Sequence, residues 1–264
     1  MGTTSKALSL LDFFSRATPR IGLSDLARRS GLNKATTHRL MGELANHGFV
    51  EQVGSGREYR LGPAFLRLAA LREYTVPMRE TVQHVLAGLA EATGETAHFS
   101  LLQGEILSTI AYAYSPAHGT AVRMEDAEIL TFHGTSSGLA VLAFSPSDFV
   151  DKVLAGPLEA RTEQTLTDPD RIRALLPGIR TAGMAMSIGG FEADVQSHAV
   201  PVFDAESACI GAVAVAAPVA RMDDALSARI RVELMRRACH LTRLLGGFLP
   251  ESLHKEEAAW MTSP

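Results

Sequence analysis

The residues of this chain that are most able to do chemistry lie in the segment GTSSG, residues 134–138. The segment matches G-x-S-x-G, in which a serine on the turn between a buried strand and a helix attacks an acyl group. In that interpretation Ser136 is the nucleophile, residues 128–132 form the strand and residues 138–144 form the helix. A hydrolase also needs an acidic residue and then a histidine further on, and candidates follow in that order: Asp168, Asp194 and His198.

The match to this motif does not establish catalysis by itself. Because Gly and Ser are common, a chain of 264 residues matches the pattern by chance roughly one time in ten. A metal site built from His133, His198 and Asp194 is conceivable, but these residues lack the close spacing of known metal motifs. The serine hydrolase therefore stays open as a hypothesis, and we expect no metal and no cofactor.

The composition indicates an ordinary soluble protein, with 46% apolar and 20% charged residues. No run of eighteen or more apolar residues is present, and the N-terminus lacks the apolar core and cleavage site of a secretory leader. The cysteines Cys209 and Cys239 are far apart within apolar patterns, so we expect both to be reduced core residues. These features predict a cytoplasmic protein with no membrane partner.

The charges divide the chain into two parts. Residues 1–76 hold eleven Lys and Arg against six Asp and Glu, a balance of +5, while the remainder carries −9. Such an asymmetry is typical of a basic module joined to an acidic domain. Phosphate contact dominates the affinity of proteins for DNA, so the basic part is a candidate for DNA binding.

The basic part has the pattern of a winged helix-turn-helix. Apolar residues at helical spacing predict a first helix from Thr3 to Arg16. A second helix begins with Ser24 as its N-cap and breaks at Gly31, and Asn33 caps a third. Two short β-type runs, FVEQV and REYRL, are then separated by GSG, which predicts a hairpin.

In a winged helix-turn-helix the third helix enters the major groove and the wing lies along the backbone. Arginine and threonine can contact base edges there, and basic or hydroxyl side chains can bind phosphate oxygens. A winged helix that serves only protein contacts is the alternative. The residues that we expect to contact DNA are Ser24, Arg28, Lys34, Thr36, Thr37, Arg39, Arg57, Tyr59 and Arg60.

The basic part resembles the DNA-binding domain of IclR-type transcriptional regulators. The similarity lies in SKALSLLDFFSR and in LSDLARRSGLNKATTHRLMGELANHGFVEQVGSGREYRLG, including the Y-x-L-G that closes the wing. It continues through ATGETAHFSLLQGE, GTSSGLAVLA, GMAMS, AVPVFD and GAVAVAAPVAR, which stand in the order and spacing of that family. The resemblance covers nearly all of residues 5–247.

The resemblance implies a regulator of the α+β class that is not an enzyme. It has an N-terminal winged helix-turn-helix, a linker helix, and a C-terminal effector-binding domain of mixed α/β, GAF-like fold. The implied partners are double-stranded DNA with an operator of two-fold symmetry, a small organic effector, and further copies of the chain in a dimer or tetramer. The expected boundaries are 1–62, 63–76 and 77–250, followed by a polar tail at 251–264.

Patterns in the C-terminal part agree with that layout. A helix is predicted from Met78 to Ala92, and another is capped by Asp168 and runs to about Arg180. A last helix is predicted from Asp223 to Leu245. Strand pairs are predicted at residues 96–103 with 106–114, and at 195–203 with 209–217.

The resemblance also implies an effector pocket beside GTSSG. A helix N-terminus there offers free N–H groups and the positive end of a dipole, which bind an anion such as a carboxylate. Because Ala214 and Ala216 stand where relatives often present serines, we expect an effector more apolar than glyoxylate or pyruvate, such as an aromatic acid or its amide or hydrazide. The implied pocket residues are Val122, Leu130, Ser136, Ser137, Gly138, Ser187, Val195 and Ser197. His198 stands where the family usually has an apolar residue, and it is added as a hydrogen-bonding candidate if it faces inward.

Overall fold

The structure is a computed structural model that describes residues 2–14, 18–54, 58–75, 78–125 and 128–254. The chain divides into two compact units, Met1–Pro77 and Met78–Pro264. Among the described residues, no helix is long and apolar enough to span a membrane.

The first unit contains helices around a small antiparallel sheet with the strand order β1-β3-β2. Buried side chains from the helices and strands share one core, which includes Leu10, Leu26, Leu40 and Met41. The elements in chain order are α1 (Thr3–Ser9), β1 (Ile21–Gly22), α2 (Leu23–Ser30), α3 (Lys34–Asn46), β2 (Val50–Val53), β3 (Glu58–Leu61) and α4 (Ala64–Thr75).

The helix-turn-helix forms as its capping residues predict. Gly31 ends α2 in the left-handed conformation with φ of 69°. The Asn33 side chain accepts a hydrogen bond from the Thr36 backbone N–H at 2.8 Å, which caps α3. The predicted cap of α2 is wrong, because that helix begins at Leu23 after Gly22, and the exposed Ser24 lies in its first turn.

The first predicted helix is too long. α1 ends at Ser9, and a 3₁₀ turn follows at Leu11–Phe13; residues 15–17 lie outside the described part. The strand β1 was not predicted, because two residues carry no periodic signal. It pairs with β3, so the wing has three strands.

The second unit is built on a five-stranded antiparallel sheet with the order β5-β4-β8-β7-β6. Its predicted strand pairs and long helices are present, while α7 and β6 were not predicted. The elements are α5 (Met78–Thr93), β4 (Thr96–Gln103), β5 (Ile106–Ala113), α6 (Ser136–Ala143), α7 (Ser147–Ala155), α8 (Pro169–Ala182), β6 (Ala185–Ile188), β7 (Val195–Phe203), β8 (Cys209–Pro218) and α9 (Asp224–Leu244).

The two faces of this sheet carry different side chains because successive residues of a strand point to opposite faces. One face presents Phe99, Val213 and Val215 to α5 and α9. The other face presents small residues, among them Ala199 and Ala214, to the core that contains α6. Small side chains on this face let α6 lie close to β7 and β8.

Helix α6 is buried along its whole length of eight residues. The close approach continues at Gly138, where a Cβ atom would overlap Phe132 and lie 2.5 Å from the Thr131 carbonyl oxygen. Residues 128–132, which the hydrolase hypothesis assigned to a strand, form only a single bridge between Ser108 and Ile129. Gly138 is therefore required by packing.

The predicted polar tail begins too early. Glu251–Leu253 form a 3₁₀ turn, and the Leu253 side chain is fully buried. Residues 255–264 lie outside the described part of the chain. Cys239 is buried, as predicted, whereas Cys209 is only half-buried.

Gly138→Ala is expected to lower the free energy of unfolding by roughly 1–3 kcal/mol or more, because the added methyl group has no space against residues 131–132. Gly178→Ala in α8 is the matched control. No atom lies within 4 Å of the Cβ position at Gly178, so alanine there is expected to stabilise the helix by roughly 0.5–1 kcal/mol. Thermal and urea unfolding measure both, and equal effects of the two substitutions would contradict the packing of α6.

Candidate DNA-binding surface and effector cavity

The N-terminal half of α3 presents a polar and basic face to solvent. Lys34, His38 and Arg39 are exposed, and Thr36 is half-exposed. The opposite side of the helix is held in the core by Leu40 and Met41. Since the core fixes the rotation of the helix, these polar side chains are available together on one surface.

Two residues predicted to contact DNA are instead part of the core. Thr37 is fully buried, and its hydroxyl donates to the Asn33 carbonyl oxygen at 3.1 Å. Tyr59 is buried among the apolar side chains of the same unit. Neither side chain reaches a groove or a phosphate from these positions, so both predictions are corrected.

The other predicted contacts lie on the surface or outside the described residues. Ser24 is exposed. Arg28 forms an exposed ion pair with Asp25, and Arg60 forms one with Glu51. Exposed pairs of this kind contribute little to stability, so both guanidinium groups can exchange their carboxylate for a phosphate at small cost. Arg57 lies outside the described residues.

A cavity of about 50 Å³ lies at the N-terminus of α6. Its walls come from β4, β7, β8, the start of α6 and the segments that precede α6 and β7. Aliphatic and aromatic side chains form the apolar part of its wall. The lining residues are His98, Val122, Met124, Glu128, Leu130, Thr135, Ser136, Ser137, Phe191, Glu192, Val195, Ser197 and Ala216.

The strand register explains which sheet residues face this cavity. Ser197 pairs with Ala216, and Ala216 pairs with Thr96 on the next strand. Val195 and His98 lie two residues away from Ser197 and Thr96 along their strands, so they share the same face. The cavity therefore lies on the α6 side of the sheet.

Hydroxyl groups and backbone donors converge at the start of α6. The Thr135 side chain accepts from the Gly138 N–H at 2.9 Å and caps the helix. The Ser136 hydroxyl donates to the Ser197 hydroxyl at 2.8 Å. Ser136 and Ser137 hold the first two N–H groups of the helix, which have no carbonyl partner within it. These donors suit a carbonyl or carboxylate oxygen.

Three predicted effector residues do not line the cavity. The Gly138 N–H is used by Thr135, and the Ser187 hydroxyl donates to the Gly134 carbonyl oxygen at 2.9 Å. His198 follows Ser197 on β7, so its side chain faces the opposite side of the sheet. Burial, together with the positive charge of Arg231, lowers the pKa of His198.

Sequence reasoning missed the titratable residues of the cavity. His98 is buried, and desolvation lowers the pKa of its imidazole to about 4. The His98 Nε2 atom lies 3.4 Å from the Ser137 hydroxyl, while Nδ1 has no hydrogen-bond partner among the described residues. The imidazole is therefore neutral at physiological pH. The only sequence signal for His98 was its position on β4, two residues after Thr96, which puts both side chains on the same face of the sheet.

Two glutamates complete the lining. Partial burial raises the pKa of Glu128, and the charges of Glu192 and Glu125 raise it further. Glu192 is exposed along part of its side chain, and desolvation of the remainder raises the pKa of its carboxyl, with a further contribution from the charge of Asp194. Arg161 opposes both shifts and stacks on the Phe191 ring with its guanidinium carbon 4.0 Å from the ring centroid.

Family comparisons cover both units. The profile described as the IclR helix-turn-helix domain matches residues 3–54, and that described as bacterial transcriptional regulator IclR C-terminal matches residues 73–242. The chain belongs to the IclR family. The predicted family and α+β fold class are thereby confirmed, and the protein is a DNA-binding transcriptional regulator.

Individual relatives span almost the whole chain. The crystal structure of an IclR transcriptional regulator from Silicibacter sp. TM1040 is 57% identical, with a TM-score of 0.92 over 96% of this chain and 99% of that one. The regulator XynR of Escherichia coli is 27% identical over 92% of this chain and 97% of its own length. The transcriptional repressor IclR of E. coli is 24% identical over 92% of this chain and 89% of its own length.

The geometry of this IclR-family protein does not support Ser136 as a nucleophile. Its hydroxyl donates to Ser197, and its proposed base His198 faces the other side of the sheet. Asp168, a candidate third member, caps α8 through the N–H groups of its first turn. A triad requires these side chains in hydrogen-bond contact, and that contact is missing here.

A buried ion pair holds one wall of the cavity in this IclR-family chain. The carboxylate of Glu95 is almost fully buried and accepts two hydrogen bonds from the Arg221 guanidinium, at 2.8 and 2.7 Å. Arg221 also donates to the Thr120 hydroxyl at 2.9 Å. Nearby, the Thr96 hydroxyl donates to the carbonyl oxygen of Val122 at 2.9 Å. These bonds fix the segment that supplies Val122 to the cavity.

Arg221→Ala is expected to lower the free energy of unfolding by roughly 3 kcal/mol, because it removes both hydrogen bonds that the buried Glu95 carboxylate accepts from the guanidinium and leaves only His118, 3.8 Å away, beside it. Arg173→Ala, which breaks the exposed pair with Asp151, is the control and is expected to cost about 0–1 kcal/mol. Chemical unfolding at pH 7 measures both. Similar losses for the two variants would contradict a structural role for the Glu95–Arg221 pair.

Proposed function

We propose that this regulator is a repressor whose affinity for its operator is changed by a small organic effector bound at the N-terminus of α6. The observation that carries the proposal is the cavity itself, in which hydroxyl and backbone donors face an apolar wall inside the core. Ligand sites in proteins combine apolar walls with a few polar groups in this way. E. coli IclR, a transcriptional repressor that is similar to this protein along most of the chain, supports repression as the mode of regulation.

In the proposed complex, α3 enters the major groove. Arg39 and Thr36 lie on its exposed face and are the candidates for contacts with base edges. Basic side chains around them bind the phosphates on either side of the groove, which fixes the position of the helix. The proposed phosphate ligands are Ser24, Arg28, Lys34 and Arg60, with Arg57 of the wing added from the sequence.

We further propose that the operator is read by two copies of the chain. Helix α4 exposes apolar side chains to water, with Leu66 77% and Leu68 43% exposed. Exposed apolar groups on one helix are typical of a surface that pairs with another chain. Two copies related by two-fold symmetry place two recognition helices on an operator of the same symmetry. A tetramer would pair two such dimers.

The proposed effector is a compact molecule with an apolar part. Val122, Leu130 and Val195 form the wall that receives this part, and Ser136 and Ser137 receive a polar oxygen. The cavity of about 50 Å³ is smaller than the ~300 Å³ of typical ligand pockets, so an aromatic effector requires the lining to move outward. Aromatic acids and their amides or hydrazides remain the classes to screen, beside smaller aliphatic ones.

Arg39→Ala is expected to weaken operator binding and to reduce the slope of log affinity against log salt by about 1, because one guanidinium contact with DNA is lost. The exposed Arg171 of the second unit supplies the control, since Arg171→Ala removes the same charge away from α3. Electrophoretic retardation over a salt series measures both variants. Unchanged binding by Arg39→Ala, or affinity that ignores salt, would contradict the proposed surface.

Ser136→Ala is expected to weaken binding of any effector found by thermal-shift screening by roughly five- to tenfold, because a hydroxyl is removed from the cavity. Ser187→Ala is the matched control: its hydroxyl donates to Gly134 outside the cavity, so effector affinity should not change. Calorimetric titration measures each affinity. Equal losses of effector affinity in both variants would contradict an effector site at the start of α6.

A further inference from the structure

The charge of the cavity lining points to a particular class of effector. Its acidic side chains are the carboxyl groups of Glu128 and Glu192. Among the described lining residues, neither Lys nor Arg is present. The nearest cation identified by its influence on these carboxylates is Arg161, whose guanidinium stacks on Phe191. A ligand that carries a negative charge therefore enters a cavity whose own side chains are negative.

His98 does not offset this negative charge. The imidazole is buried, and its pKa is lowered to about 4, so it stays neutral where the protein functions. Its Nδ1 atom is buried without a hydrogen-bond partner among the described residues, and His98 belongs to the cavity lining. Buried polar atoms are normally satisfied, so an unsatisfied one on a lining residue is a candidate contact for a ligand.

We propose that the effector presents a protonated nitrogen or an N–H-rich group to Glu128 and Glu192, and that a free monocarboxylate is the wrong ligand for this cavity. The inference rests on the proposed function, since it assigns the chemical class of ligand to the same site. Amidinium, ammonium and primary amide groups have this chemistry. A neutral carbonyl oxygen on the same ligand fits the hydroxyls of Ser136 and Ser137.

The helix N-terminus does not reverse this preference. The positive end of a helix dipole corresponds to roughly half an elementary charge, and it acts only within the first turn. Two carboxylates oppose it, and Glu125 and Asp194 add to their negative potential while Arg161 reduces it. The raised pKa values of Glu128 and Glu192 have the same origin, because each carboxylate is held near others and partly away from water. A cationic group relieves that repulsion.

Three probes of the same shape and different charge test the inference: benzoate, benzamide and benzamidine, at pH 8. Because the cavity is small, acetate, acetamide and acetamidine form a second series. Titration calorimetry on the full-length protein measures affinity. The imidazole proton signals of His98, assigned with His98→Asn, show whether a probe occupies the cavity. We expect the amidinium to bind on the order of tenfold more tightly than the carboxylate of its series, with the amide between them.

Glu128→Gln and Glu192→Gln identify the source of the preference. Each removes one charge while keeping the shape of the side chain, so each should weaken amidinium binding by at least about fivefold and leave amide binding nearly unchanged. The exposed Glu91 of α5 lies outside the lining, and Glu91→Gln is the charge-matched control. An equal effect of the control substitution would overturn the assignment to these two glutamates.

The pH dependence of amidinium affinity is an independent test of the inference. Because the pKa of each glutamate is raised, acidification protonates them earlier than ordinary carboxyls, so amidinium affinity falls as the pH is lowered from 8 towards 5. Carboxylate that binds as tightly as amidinium at pH 8 would overturn the inference, as would absence of binding by every probe. Operator retardation is measured on the same protein without any probe: absence of DNA binding there contradicts the proposed function, whereas a preference for carboxylate by a protein that binds DNA contradicts only the inferred ligand class.

Discussion

The burial of α6 is the constraint on which the second unit depends. All eight residues of the helix are buried between the sheet and α8, and the alanines of β7 and β8 together with Gly138 make the close approach possible. A helix that begins inside a protein leaves its first N–H groups without helical partners. Thr135 satisfies one of them, and the others lie at the cavity. The packing that builds the core therefore also builds a polar site within it.

The residues around that site change the kind of ligand that it favours, compared with a helix N-terminus alone. Helix N-termini favour anions, yet the rest of the lining is neutral at His98 and acidic at Glu128 and Glu192. The Glu95–Arg221 pair meanwhile holds the segment before Val122 in place. An apolar wall, oxygen-binding donors and carboxyl groups in one small cavity favour a ligand with both a carbonyl group and a nitrogen donor.

The sequence was sufficient for most of the long elements and for part of each site, but not for the short elements β1, β6 and α7. Caps and periodicity located α3, α8 and the strand pairs, and the family resemblance supplied the serines of the cavity. Sequence reasoning failed where the role of a residue depends on the direction of its side chain. Thr37 lies three residues before Leu40 and belongs to the buried face of α3, while Ser197 and His198 are neighbours that face opposite sides of the sheet. Glu128 and Glu192 come from segments without regular periodicity, so only the folded chain shows that they meet.

In the proposed regulator, the α6 cavity and the α3 surface are energetically linked sites of one chain. A ligand changes operator affinity only if it binds the DNA-competent and DNA-incompetent arrangements unequally, and the effect must then be reciprocal. The most direct measurement is the affinity of benzamidine for the full-length protein in the absence and in the presence of saturating operator DNA. We expect DNA to weaken benzamidine binding by the same factor by which benzamidine weakens operator binding. Equal benzamidine affinity with and without DNA would contradict this linkage.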